Sequence, residues 1–137
     1  MSDHKYTLHL TERQARVIVD ALDLFSRIGM GQLKEVAYVL RQNPLPSSDP
    51  DLEARTTLLS EIRDKLDTLS RYWMKGPGFY GITSKSISDR FRIAFDIQQV
   101  IRHRLAWDRN PQGDITVDFD NPTKTSEEDL PKIETVK

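Results

Sequence analysis

The sequence predicts a mainly α fold: a four-helix, bundle-like single domain over residues 1–121, with a small two-stranded sheet pairing an N-terminal with a C-terminal strand, and an acidic, flexible tail over 122–137. Three observations lead there. Apolar residues recur at three- and four-residue steps in four stretches. Proline- and glycine-rich breaks separate those stretches. Two short segments near the ends alternate apolar and polar residues, as half-buried strands do.

The first alternating segment is Tyr6, Leu8 and Leu10 with Thr7 and His9 between them. Thr11 and Gln14 have capping-box spacing, so a helix is expected from there to about Arg27 or Ile28, burying Ala15, Ile18, Leu22 and Phe25. Gly29 and Gly31 interrupt it, because each glycine costs a helix about 1 kcal/mol relative to alanine. Leu33, Val36, Ala37 and Leu40 resume helical spacing until Pro44, Pro46 and Pro50 forbid it.

Leu59, Ile62, Leu66, Leu69 and Trp73 step by three and four, and Leu52 lies one heptad before Leu59, which predicts a long third helix. From Leu52 to Trp73 it would run roughly 33 Å at ~1.5 Å per residue, more than a small domain needs, so part of this seam is a candidate contact with another subunit, the alternative being an intramolecular helical hairpin. Lys75 to Ile82, with three glycines and a proline, breaks the chain. Ser86 or Ser88 then caps a fourth helix carrying Phe91, Ala94, Phe95, Ile97, Val100, Ile101, Leu105 and Trp107 as far as Asn110 and Pro111. Its apolar residues cover more than one stripe, so it is expected to be central, and both tryptophans, Trp73 and Trp107, are expected in the core. Ile115, Val117 and Phe119 form the second alternating segment. The residues after Pro122 have too little apolar content to order themselves.

Composition narrows the function. No apolar run approaches the roughly 20 residues that span a bilayer, so no membrane role is expected. The start, MSDHKYTLHL, lacks a secretory leader's pattern, and the chain has no cysteine, so the expected compartment is the cytoplasm, without disulfide or thiolate chemistry. His4, His9 and His103 do not have metal-ligand spacing, and no serine elbow or phosphate-cradling glycine loop occurs. The expectation is a binding protein, with no catalytic residues, no metal and no cofactor.

Charge gives the most pointed clue. Residues 71–109 carry eight basic side chains against three acidic ones, whereas 110–137 carry three against seven. Guanidinium forks grip phosphate and aromatic faces stack on nucleobases, so Arg92, Arg102, Arg104, Tyr80 and Trp107 are the candidate ligand-binding residues. The competing reading is that arginines in the last turns of a helix merely complement its dipole. Arg104 bears on the choice, because it lies in an otherwise apolar line with Ile93, Ile97, Val100 and Trp107. A charge there needs a partner: Asp20, Asp23 or Asp96 within the fold, or a phosphate from outside. Nucleic acid is a poor fit, since the net charge is −1 and no helix is basic along a whole face.

The segments LTERQARV (10–17), SRIGMGQ (26–32), YGI (80–82) and, most specifically, DIQQVIRHRLAWDR (96–109) resemble a family of small proteins encoded by tailed bacteriophages. The resemblance covers most of the domain, thins out in the acidic tail and implies no catalytic residues. It implies a setting, the cytoplasm of an infected bacterium, where small oligomeric phage proteins soak up nucleotide signals of bacterial immunity. By that analogy the chain is expected to be a homo-oligomer that sequesters a phosphorylated nucleotide second messenger with Arg102, Arg104 and Tyr80, supported by Arg92 and Trp107. The alternative is an interaction module that binds and modulates a host or phage protein.

Overall fold

Thr11 begins the first helix in the way its spacing predicts. Its hydroxyl accepts from Gln14 N at 3.2 Å, and the Gln14 side chain accepts from Thr11 N at 2.9 Å. In a computed structural model, which describes residues 3–73 and 80–137, the elements are α1 (Glu12–Gly29), α2 (Glu35–Leu40), α3 (Leu52–Trp73), α4 (Asp89–Arg109) and a 3-10 turn, Val117–Phe119. The glycine break at 29–31 is a Schellman end to α1. Gln32 N donates to Arg27 O at 2.9 Å, Gly31 N donates to Ile28 O at 3.0 Å, and Gly31 adopts φ 85°. Of the expected break at 75–82, residues 75–79 lie outside the described residues.

α1 and α4 form the main packed pair. Small residues on α1, the fully buried Ser26 and the buried Gly29, let α4 approach closely, and Phe91 fills the space over Gly29. Phe91 also meets Phe25 with ring centroids 4.8 Å apart. α4 is capped by Ser88, whose hydroxyl accepts from Arg90 N. It buries Ala94, Gln98 and Ile101 along one line and Asp96 and Val100 on another, but among the described α-helices it packs against α1 alone and so is not the central helix expected.

α2 joins this pair to α3. Among the described residues, α3 packs against no helix but α2, and Ser70 is its one buried residue. The Ser70 hydroxyl donates to Gly31 O at 2.8 Å and so ties α3 to the turn after α1.

The expected two-stranded sheet does not form: the described residues contain no strand. Residues 6–10 have no regular secondary structure and lie open, with Tyr6 91% and Leu8 72% exposed. In the second segment Ile115 is fully exposed and only Phe119 is buried. Trp107 accounts for that difference. Its indole N–H donates to Phe119 O at 3.3 Å, and its ring meets the Phe119 ring edge-on at 5.2 Å. Phe119 N and Asp120 N turn back to Thr116 O and Val117 O, so the backbone groups a strand would offer are used within the turn.

Residues 122–137, expected as a flexible acidic tail, are attached to α4 by polar contacts. Thr125 and Ser126 hydrogen-bond to Asp96, while Gln99 exchanges hydrogen bonds with the Thr123 backbone.

Candidate functional site

The five candidate residues do not converge on one cavity. Arg92, near the start of α4, is the most internally used. Its Nε meets Asp89 at 2.9 Å, and Nη1 donates to the carbonyls of Ser84 at 2.8 Å and Ile87 at 3.2 Å. That guanidinium shapes the loop into α4. Tyr80 is half-buried, and its backbone N–H donates to Met30 O at 3.1 Å, which places it at the far end of α1. Trp107 anchors the 3-10 turn, as described above, and packs over Gly113.

Arg102 and Arg104 lie ten and twelve residues beyond Arg92, roughly 15–18 Å along the helix axis. They sit two residues apart, about 160° around the helix by the short way, and so face different surroundings. Arg104 Nη2 pairs with Asp108 at 2.9 Å, one turn further on, rather than with Asp20, Asp23 or Asp96. Arg102 Nε meets Asp118 at 3.2 Å, just before the ring of Phe119. Neither Nε has a well-aligned hydrogen bond among the described residues. Both ion pairs are part exposed, and pairs of that kind contribute only about 0–1 kcal/mol, so an incoming anion can compete for the guanidinium.

Of the five, Arg102 borders a cavity. An open depression of about 180 Å³ lies between α1 and α4, lined by Arg16, Asp20, Arg102, Arg109 and Asp118, with Val19, Leu105 and Ala106 as its apolar floor. Arg16 is held by Glu12 at 2.6 Å. Arg109 makes no ion pair among the described residues. Sequence reasoning passed over Arg16 and Arg109; the signal available was their position on the same faces as Val19 and Leu105, two turns that the α1–α4 packing brings together.

Asp96 was also missed as an organising group. It is 2% exposed and accepts four hydrogen bonds: from Thr125 N (2.9 Å) and Oγ1 (2.6 Å), and from Ser126 N (2.9 Å) and Oγ (2.7 Å). Burial pushes its carboxyl pKa up, but the four donors together outweigh burial and hold it below the usual carboxylate value. The signal was a lone carboxylate among Phe95, Ile97 and Val100, and a Thr-Ser pair downstream able to offer two hydroxyls and two amides.

The third feature is an open apolar face. On α3, Leu52, Leu59 and Leu66 are half-buried, while Leu58, Ile62, Leu69, Tyr72 and Trp73 are exposed. Trp73, expected in the core, is 63% exposed. The heptad seam therefore splits lengthwise, one side covered within the fold and the other open.

Among the described residues no group of three or more histidines and carboxylates is placed to hold a metal ion, and no helix is long and apolar enough to cross a membrane. No protein-family model matches the chain, and comparison with curated proteins and with solved structures finds no match.

Proposed function

We propose that this protein is a non-enzymatic binding protein that sequesters a phosphorylated, nucleotide-type ligand, with Arg102, Arg16 and Arg109 as its anion grip. The observation that carries this reading is the depression between α1 and α4, where three guanidiniums border an apolar floor. Phosphate suits the guanidinium forks, and a base or sugar face suits Val19, Leu105 and Ala106. Arg109 makes no ion pair among the described residues that would have to break, and the partly exposed Arg102–Asp118 pair can open at small cost.

The depression is smaller than the roughly 300–1,000 Å³ usual for organic ligands. In this reading the depression takes the phosphate-bearing part of the ligand, and the chain acts as a homo-oligomer, in keeping with the phage analogy. Tight binding without turnover then suffices to remove a signal. Arg92, Arg104, Tyr80 and Trp107 become supports of the fold around the site rather than its lining.

Thermal denaturation against a panel of cyclic and linear nucleotides tests the proposal. A ligand at a hundred times its Kd adds about 2.7 kcal/mol, so the melting temperature should rise by several degrees, and the rise should vanish in Arg102→Ala. The nucleotide should be recovered intact once the protein is denatured. A flat response across the panel would defeat the proposal.

A second reading, an interaction module for a host or phage protein, is favoured by the exposed apolar face of α3. A photo-crosslinking residue at position 62 or 69 would report it as adducts to a different protein, absent when the residue is moved to position 57.

A further inference from the structure

The exposed side of α3 has an internal order that selects its occupant. Arg55, Leu58, Ile62, Lys65, Leu69 and Tyr72 follow one another at steps of 3, 4, 3, 4 and 3, a straight stripe down a helix that pairs at coiled-coil spacing. Leu58, Ile62, Leu69 and Tyr72 are open to solvent, and neither Arg55, Lys65 nor Tyr72 makes an ion pair or ring contact among the described residues. Among the described residues nothing covers the stripe.

We infer that its occupant is a second copy of the same stripe, laid antiparallel, each residue i facing residue 127 − i of the other chain. Under that operation the stripe maps onto itself. Leu58 meets Leu69 of the other copy, and Arg55 meets the ring of Tyr72, a cation–π arrangement. The Lys65 stem lies along Ile62, leaving its ammonium near Glu61, the residue beside Ile62. A parallel pairing in register would instead set Lys65 against Lys65 and Arg55 against Arg55, which like charges disfavour. The sequence of charges thus decides direction, and an isologous twofold contact is the commonest arrangement for a homo-oligomer.

Size is in keeping with a reversible dimer. Whole aromatic side chains bury about 150–250 Å² each, so the open portions of Leu58, Ile62, Leu69, Tyr72 and Trp73 come to roughly 500 Å² per chain. Two chains reach about 1,000 Å², the lower limit for a specific interface. The contact lies on α3, away from the α1–α4 depression, so it deepens the oligomeric part of the proposed function without depending on the anion grip.

The chain contains no cysteine, so single cysteines report directly. Leu58→Cys and Leu69→Cys chains, mixed and oxidised under mild conditions, should give the 58–69 heterodisulfide at least tenfold faster than either homodisulfide. Sedimentation equilibrium of the unmodified chain should show a dimer, and Ile62→Asp with Leu69→Asp should weaken it at least a hundredfold while helix content stays the same. A monomer at 500 µM (about tenfold above a typical weak-interface Kd) would overturn the inference, as would homodisulfides outrunning the mixed one. Nucleotide-dependent melting is read on the same double variant. If it persists in a monomer, self-pairing through α3 and the anion grip are separate properties, and the failure of one leaves the other standing.

Discussion

Ser126 donates twice to a single oxygen of Asp96, through its backbone N–H at 2.9 Å and its hydroxyl at 2.7 Å, from thirty residues further along the chain. Thr125 does the same for the other oxygen. One buried carboxylate therefore fastens the C-terminal segment to α4. Asp96→Asn leaves one end of the amide with a donor facing donors, and Asp96→Ala leaves four donors without an acceptor. Urea denaturation should show a loss of about 2–4 kcal/mol for Asp96→Ala, with trypsin cleaving at Lys124 faster than in the parent chain.

The same contact fixes an acid dependence. Because the folded-state pKa of Asp96 is lowered, the contribution is fully present above the unfolded carboxylate value, about 3.9, and is lost as pH falls through the folded value. The stability gap between the parent chain and Asp96→Asn should be constant from pH 5 to 8 and shrink below about pH 4. A gap that stays constant down to pH 2 would mean that Asp96 is not ionised in the fold.

Gly29 is needed for space rather than for its backbone freedom. A Cβ there would overlap the Phe91 ring, so Gly29→Ala should destabilise by about 2–3 kcal/mol, the range for overpacking a close helix crossing. Phe91→Leu in the same chain should recover part of that loss, and a double-mutant cycle measures how much.

Arg92 and Arg102 should behave oppositely. Arg92→Lys gives up the fork that joins Asp89 to the Ser84 and Ile87 carbonyls, so it should cost about 1–2 kcal/mol in chemical denaturation yet leave nucleotide-induced stabilisation unaltered. Arg102→Ala should change stability by under about 1 kcal/mol and abolish the nucleotide effect. The two readouts separate a structural guanidinium from a ligand-binding one.

The helices were legible because each has a local cause. Thr11 and Gln14 start α1, Gly31 ends it, the prolines at 44, 46 and 50 isolate α3, and Ser88 caps α4. The sheet was misread because alternation at Tyr6–Leu10 and Ile115–Phe119 describes a face, not a partner. Whether two such segments meet depends on Trp107 and Phe119, a contact no local pattern announces. The arginines were legible as a group but not as individuals. Charge density picked out the end of α4, whereas the division between Arg104, turned to Asp108, and Arg102, turned to the depression, follows from the helix rotation between them. Arg16 and Arg109 come together only through the crossing of α1 with α4.

Among the described residues the one deep attachment of α3 is at Ser70, and it makes that helix a lever. Leu52 lies eighteen residues from the pivot, roughly 27 Å, so a rocking motion of about 5° at Ser70 displaces the far end by about 2 Å. Amide protons near Leu52 should accordingly exchange with solvent sooner than those near Ser70, and whatever clasps the outer flank of α3 would still that swing along its whole length.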